Sequence, residues 1–227
     1  MGCISEHHLN EYTTVGVWKI EEDLETLLSM VELSPVEKKK FKTFKSNSRR
    51  LEYLSVRALL AELMGPDTKI VYNKNKKPFI KDGSHFISIS HSNKLTAIML
   101  SSRERIGIDL EYMSSNITGI AMRFINRREN ITRKKDYRRY HLYIHWCAKE
   151  ALYKICDKEG INMKKNITIF PFPVDVSGYI RGRVKSEMID EEFDLQYTRY
   201  DNYAIVWTKK YYDDRESEKA KMLGPSS

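Results

Sequence analysis

Cysteine is scarce in this chain of 227 residues: Cys3, Cys147 and Cys156 are an odd set without metal-type spacing. That argues against a disulfide framework and fits a reducing compartment. Long apolar runs are missing too. No stretch approaches the roughly 20 residues a membrane-spanning helix needs, and the N-terminus lacks the apolar core of a secretory signal. The expected location is cytoplasmic, with no membrane partner. Met1-Gly2-Cys3 begins like an acylation signal, but Glu6 stands where a myristoylation motif has Ser or Thr. No repeat of fixed period is visible, so any internal duplication is one of structure. Negative charge is the minority, with 31 Asp and Glu against 39 Lys and Arg. The resulting charge of +8 favours an acidic or phosphate-rich partner without saying which.

What is present suffices for a core: 41% of residues are hydrophobic, and the length allows one large domain or two of about 110 residues. Two stretches organise the rest. In Ile106-Gly107-Ile108-Asp109-Leu110-Glu111, period-2 alternation sends Ile108 and Leu110 to one face and Asp109 and Glu111 to the other. Two like charges about 4 Å apart at an effective dielectric near 20 repel by about 4 kcal/mol. A cation or a proton between them removes that cost, and a divalent ion is the simplest choice. In Trp146-Cys147-Ala148-Lys149-Glu150-Ala151-Leu152-Tyr153-Lys154, helical spacing puts Glu150 and Lys154 one turn apart, with Ala148, Leu152 and Ile155 on another face.

The remaining pattern reads as strands and helices in turn. Residues 13–20 form a strand and 21–33 a helix; Ser34-Pro35 then caps a helix that carries Lys38, Lys40, Lys45, Arg49 and Arg50. A further helix over 51–64 stops at Gly65-Pro66, with Arg57 on it as an exposed or ion-paired residue. Short strands at 70–72 and 79–80 precede Phe86-Ile87-Ser88-Ile89-Ser90-His91-Ser92, whose tip delivers hydroxyls and an imidazole. Strand 95–101 and the Asp109 strand are expected to complete an antiparallel meander. Residues 116–140 read as one strongly basic helix, followed by the Glu150 helix to about Gly160 and strands at 167–170, 179–184, 193–200 and 203–209. Polar residues 213–227 carry no periodicity and are expected outside the fold.

Three carboxylates, a Ser-His-Ser tip and basic residues on two other elements together suit a divalent ion and a phosphate-rich ligand. A magnesium-dependent phosphodiesterase or nuclease is one alternative with the same carboxylate chemistry. A basic nucleic-acid-binding module is another, but it needs no paired carboxylates, and no exposed aromatic platform interleaves the basic residues. No nucleic-acid partner is therefore expected.

Lys77-Pro78, Ile89-Ser90-His91-Ser92, the Asp109 stretch and the Glu150 stretch follow one another in the order and spacing of the 4'-phosphopantetheinyl transferase superfamily. The chain resembles its surfactin-synthetase-activating type over nearly its whole length. The resemblance implies an α+β fold, a pseudo-dimer of two similar halves with the active site in the cleft between them. The halves are set at 1–104 and 105–212, with 213–227 as a tail. It also implies transfer of the 4'-phosphopantetheine arm from coenzyme A to a serine hydroxyl of an apo acyl or peptidyl carrier protein. Magnesium is required, adenosine 3',5'-bisphosphate is released, and the enzyme is expected to be a monomer.

By position, the resemblance gives the ion to Asp109, Glu111 and Glu150. Glu150 also takes the proton of the attacking serine, and Lys154 stabilises the departing phosphate. Ser90 and His91 bind the pyrophosphate, and Lys77 and Pro78 lie against the adenine. Lys38, Lys40 and Arg50 meet the 3'-phosphate, with Arg49 the alternative to Arg50. Carrier proteins are typically acidic, so the basic residues between Arg123 and Arg139 are the expected docking face. Two departures stand out: Lys76 where the family has glycine, and Ile87-Ser88 where it has Phe-Asn. The first restricts backbone freedom in the adenine loop and the second removes an amide.

Overall fold

The computed structural model describes residues 2–114, 116–156 and 160–211. The first part runs β1 (Cys3–His8), β2 (Thr13–Lys19), α1 (Leu24–Ser29), α2 (Pro35–Lys42), α3 (Asn47–Met64), β3 (Ile70–Tyr72), β4 (Pro78–Ile80), β5 (Phe86–Ser92) and β6 (Leu95–Ser101). The second runs β7 (Glu104–Tyr112), α4 (Ile117–Phe124), α5 (Lys135–Cys156), α6 (Met163–Asn166), β8 (Ile167–Ile169), β9 (Ser177–Lys185), β10 (Asp190–Tyr200) and β11 (Tyr203–Tyr211). One sheet has the order β1-β2-β6-β5, the other β7-β11-β10-β9-β8, and β3 pairs with β4 alone. The fold is α+β, and two sheets that each pack a long helix are compatible with a pseudo-dimer. Among the described residues no helix is long and apolar enough to cross a membrane, and the three cysteines are free. The expected tail at 213–227 lies outside the described residues.

One strand was not anticipated, and three local expectations are corrected. The polar segment with Ser5, Glu6, His7 and His8 forms β1, an edge strand on β2 that has no apolar alternation to betray it. The helix expected over 21–33 is only α1. The basic run is two helices: Ser34 and Glu37 close a reciprocal capping box on α2, then Ser46 caps α3 through the Arg49 amide at 3.3 Å. The expected basic helix over 116–140 is α4, a loop and the first turn of α5, and its Arg and Lys side chains are exposed.

The meander also ends early. β5 and β6 are hydrogen-bonded neighbours, but β7 leaves them to pair with β11 at the edge of the second sheet. Apolar burial explains where it goes. Ile106, Ile108 and Leu110 of β7 join Tyr203 and Ile205 of β11 against Val15, Val17, Leu95, Ala97 and Met99 of the first sheet. This third core binds the two parts together, beside one core under α3 and another under α5. Fully burying a side chain of this size contributes about 1.5–3 kcal/mol.

α5 lies directly across β7, and Gly107 is why it can. A Cβ at Gly107 would overlap the carbonyl oxygen of Ala151, which is backbone and cannot swing away. Glycine here admits close approach of a helix rather than an unusual dihedral, and it sets Glu150 and Lys154 over the strand that carries Asp109. Gly107→Ala should therefore destabilise the protein by about 2–4 kcal/mol in urea unfolding. A loss below about 0.5 kcal/mol would show that the helix does not press on this strand.

Candidate active site

An edge strand exposes unpaired amides, and β7 meets that problem with serines from the neighbouring sheet. Ser88 Oγ accepts from the Ile108 amide at 3.0 Å, Ser90 Oγ from Leu110 at 3.2 Å and Ser92 Oγ from Tyr112 at 3.1 Å. The alternation of β5 makes this possible by sending every second side chain to β7. The same hydroxyls donate onward: Ser90 to Asp109 Oδ1 and Ser92 to Glu111 Oε2, each at 2.7 Å. Both carboxylates are thus fixed by the serines that join the sheets.

Lys154 spans the same seam. Its ammonium donates to the Ile89 carbonyl on β5 at 3.2 Å, the Ile108 carbonyl on β7 at 2.9 Å and Asp109 Oδ1 at 2.7 Å. One turn earlier on α5, Glu150 is partly buried, and its carboxyl is pushed up to about 7, first by burial and then by the charges of Asp109 and Glu111, against the pull of Lys154. Burial also raises Glu111, with Asp109 adding to it and the Ser92 bond opposing. α5 itself is pinned by buried Lys149, which reaches the carbonyls of Phe124, Met163 and Ile167 at 2.6, 3.1 and 2.8 Å and pairs with Glu129 at 2.9 Å.

Beside this seam opens a cleft of about 660 Å³, lined by residues of both parts. α3 contributes Arg49, Glu52, Tyr53 and Arg57; the β3–β4 hairpin contributes Tyr72, Lys76, Lys77 and Pro78; β5 contributes Ser88 and His91, and α5 contributes Tyr153 and Lys154. Among the described residues Glu52 is the one acidic side chain in that lining. Arg49 Nη1 donates to His91 Nε2 at 3.0 Å and to Glu52 Oε2 at 2.8 Å. Arg57 is buried and ion-paired, bonded to Glu37 at 3.0 Å with its guanidinium 3.4 Å from the centre of the Tyr53 ring.

Lys76 sits at φ 63°, in the left-handed region. This is the position where glycine was missed in the sequence, and a lysine there costs on the order of 1 kcal/mol. Asn73 offsets the strain, because its Oδ1 accepts from the amides of Asn75 and Lys77, both at 2.9 Å.

The structure brings His91, Lys77, Pro78 and Lys154 into the cleft and Asp109, Glu111 and Glu150 into one electrostatically coupled group next to it. Ser90 is buried with its hydroxyl engaged at the seam. Lys38 and Lys40 are exposed on α2 and are not part of the lining, and Arg50 Nε is tied to the Phe44 carbonyl at 3.0 Å. Arg49 and Glu52 take the cleft instead. Their i, i+3 spacing was available in the sequence, but only a helix that starts at Ser46 turns that face to His91.

Magnesium fits the carboxylates loosely. Among the described residues no three His, Cys, Asp or Glu side chains converge as a ready-made metal cage. Yet among the described residues Asp109 Oδ2 is buried without a hydrogen-bond partner, and the neighbouring carboxyls of Glu111 and Glu150 are raised, first by burial and then by nearby negative charge. An ion that takes one or two carboxylates and keeps several waters suits such a set.

Because Glu150 titrates near 7 rather than at its ordinary 4.5, the folded chain holds that proton more tightly than the unfolded chain. The associated stability is present below pH 4.5 and is lost as pH rises through about 7, a change of roughly 3 kcal/mol. Glu150→Gln removes it. In urea unfolding without divalent ions, the wild type should fall relative to the variant by roughly 2 kcal/mol between pH 5 and pH 8. Parallel pH curves would contradict the raised carboxyl of Glu150 that burial and the charges of Asp109 and Glu111 produce.

No curated protein matches the chain. Residues 105–208, however, match the family model of the 4'-phosphopantetheinyl transferase superfamily. That span contains Asp109, Glu111, Glu150 and Lys154, and the match supports phosphopantetheine transfer as its general activity. Over these residues, which carry β7, α5 and the coupled carboxylates, the chain is similar to the 4'-phosphopantetheinyl transferase superfamily.

Proposed function

We propose that the whole chain is a 4'-phosphopantetheinyl transferase of the surfactin-synthetase-activating type, moving the phosphopantetheine arm of coenzyme A to a serine of an apo carrier protein. The observation that carries this reading is geometric: Asp109, Glu111 and Glu150 form one carboxylate group beside Lys154, which bonds Asp109 and lines a cationic cleft. Glu150 takes the proton of the carrier serine as its oxygen attacks the β-phosphorus, and adenosine 3',5'-bisphosphate leaves.

The cleft orients the donor. Arg49 and His91 hold phosphate oxygens, Lys76 and Lys77 add charge at the mouth, and Pro78 lies against the adenine. Arg49 replaces Arg50 in this assignment because it faces His91. His91 and Arg49 likewise take the role first given to Ser90, whose hydroxyl stabilises the seam. Lys154 acts through its fixed positive charge, since its donors are engaged by two carbonyls and Asp109. Magnesium on Asp109, Glu111 and Glu150 supplies, when bound, neutralisation of the pyrophosphate. The halves 1–104 and 105–212 divide these tasks, and the enzyme works as a cytoplasmic monomer.

Exposed Arg123, Arg127, Arg128, Arg133, Lys134, Lys135, Arg138 and Arg139 form the docking face for an acidic carrier. Incubation of an apo carrier with coenzyme A, magnesium and the protein should add one phosphopantetheine to the carrier by mass spectrometry. Glu150→Gln should reduce the rate at least about 100-fold. Charge reversal at Arg127, Arg128 and Lys134 should raise the carrier KM with coenzyme A affinity unchanged. Coenzyme A binding without transfer to any of several carriers, or an active Glu150→Gln variant, would contradict this reading.

A further inference from the structure

Glu52 is an odd residue for an anion site. It is a largely buried carboxylate among Arg49, Arg57, Lys76, Lys77 and Lys154, and it opposes any phosphate that enters. Its geometry gives it another task. The Arg49 guanidinium donates to His91 Nε2 at 3.0 Å, so that nitrogen carries a lone pair and the proton of the neutral ring is on Nδ1. Nδ1 faces Glu52 Oε2 at 3.5 Å, and the same oxygen accepts from Arg49 at 2.8 Å. One carboxylate therefore orients the guanidinium by a hydrogen bond and stands within ion-pair distance of the imidazole.

A phosphate oxygen is an acceptor, so it cannot use Nε2 in this form. For His91 to hold an anion, Nε2 must take up a proton from solvent while Nδ1 keeps its own, which leaves an imidazolium 3.5 Å from the Glu52 carboxylate. Among the described residues, the charged groups that face the ring are Glu52 and Arg49 from α3 and Lys154 from α5. Of these, only Glu52 favours the imidazolium. In the free protein, burial foremost, together with the two cations, holds His91 below its ordinary range, so at neutral pH the proton arrives with the ligand.

Resting on the coenzyme A reading of the cleft, we propose that Glu52 is a positioning residue that makes His91 a proton-coupled anion ligand: the phosphate ligand binds together with one proton, which is placed on Nε2 and balanced by Glu52. Affinity for the phosphorylated ligand then falls with rising pH, approaching tenfold per unit above neutrality.

Calorimetry of coenzyme A binding at pH 7.5, in buffers of different ionisation enthalpy, reads the proton uptake directly. The wild type should take up close to about one proton more than Glu52→Gln, a difference from which the ligand's own titration cancels. The pH slope of affinity should flatten in the variant by the same linkage. Equal uptake in both proteins, with coenzyme A bound, overturns the inference while leaving the cleft assignment intact. Failure of coenzyme A to bind the wild type removes the cleft assignment and this inference together. A measurement that needs no variant is the nitrogen spectrum of the His91 ring in the free protein at pH 8: an Nδ1–H tautomer supports the proposal, and an Nε2–H tautomer overturns it.

Discussion

The structure depends on how two sheets are joined at an edge. β7 is the last strand of its sheet, and a bare edge presents unpaired amides to solvent or to another chain. Here the hydroxyls of Ser88, Ser90 and Ser92 satisfy those amides, and the Lys154 ammonium ties the carbonyls of Ile89 and Ile108. Side chains thus continue the hydrogen bonding that backbone pairing would otherwise supply. Loss of the Ser88 or Ser90 hydroxyl would leave a buried amide unsatisfied at about 1–3 kcal/mol, comparable to burying a whole apolar side chain.

The seam also fixes the chemistry. The serines that close the edge donate to Asp109 and Glu111, so assembly of the two sheets and placement of the carboxylates are one event. Gly107 then lets α5 approach closely enough for Glu150 to share their electrostatic field. The result is a gradient along a short path. On one side lie carboxyls that burial and mutual repulsion push toward protonation or cation binding; on the other lies a cleft rich in Arg and Lys. A ligand with a chain of phosphates, neutralised by the cleft and by a divalent ion, suits both sides.

Much of this was legible in the sequence, for physical reasons. Strict alternation in β5 and β7 revealed which residues share a face, and that is why Ser88 with Ser90 and Asp109 with Glu111 were read correctly as pairs. The helical spacing of Glu150 and Lys154 was equally plain. Sheet membership was not, because alternation specifies faces and leaves the partner strand open: β7 follows β6 by a tight turn yet pairs with β11, and β1 is too polar to announce itself. Helix boundaries failed where a second cap was overlooked. Ser46 starts α3 inside a basic run, and that start decides that Arg49, rather than Arg50, meets His91. Glycine restriction was anticipated at Lys76, and the chain there does adopt the left-handed backbone, held by Asn73.

The most direct test of the account is a crystal structure of the protein with coenzyme A and magnesium. The account predicts phosphate density in the cleft between α3, the β3–β4 hairpin and Lys154, with oxygens on Arg49 and His91 and the ion between the pyrophosphate and Asp109. Coenzyme A bound elsewhere would contradict it, for example in the second groove of about 730 Å³ bounded by Leu9, Tyr179 and Trp207.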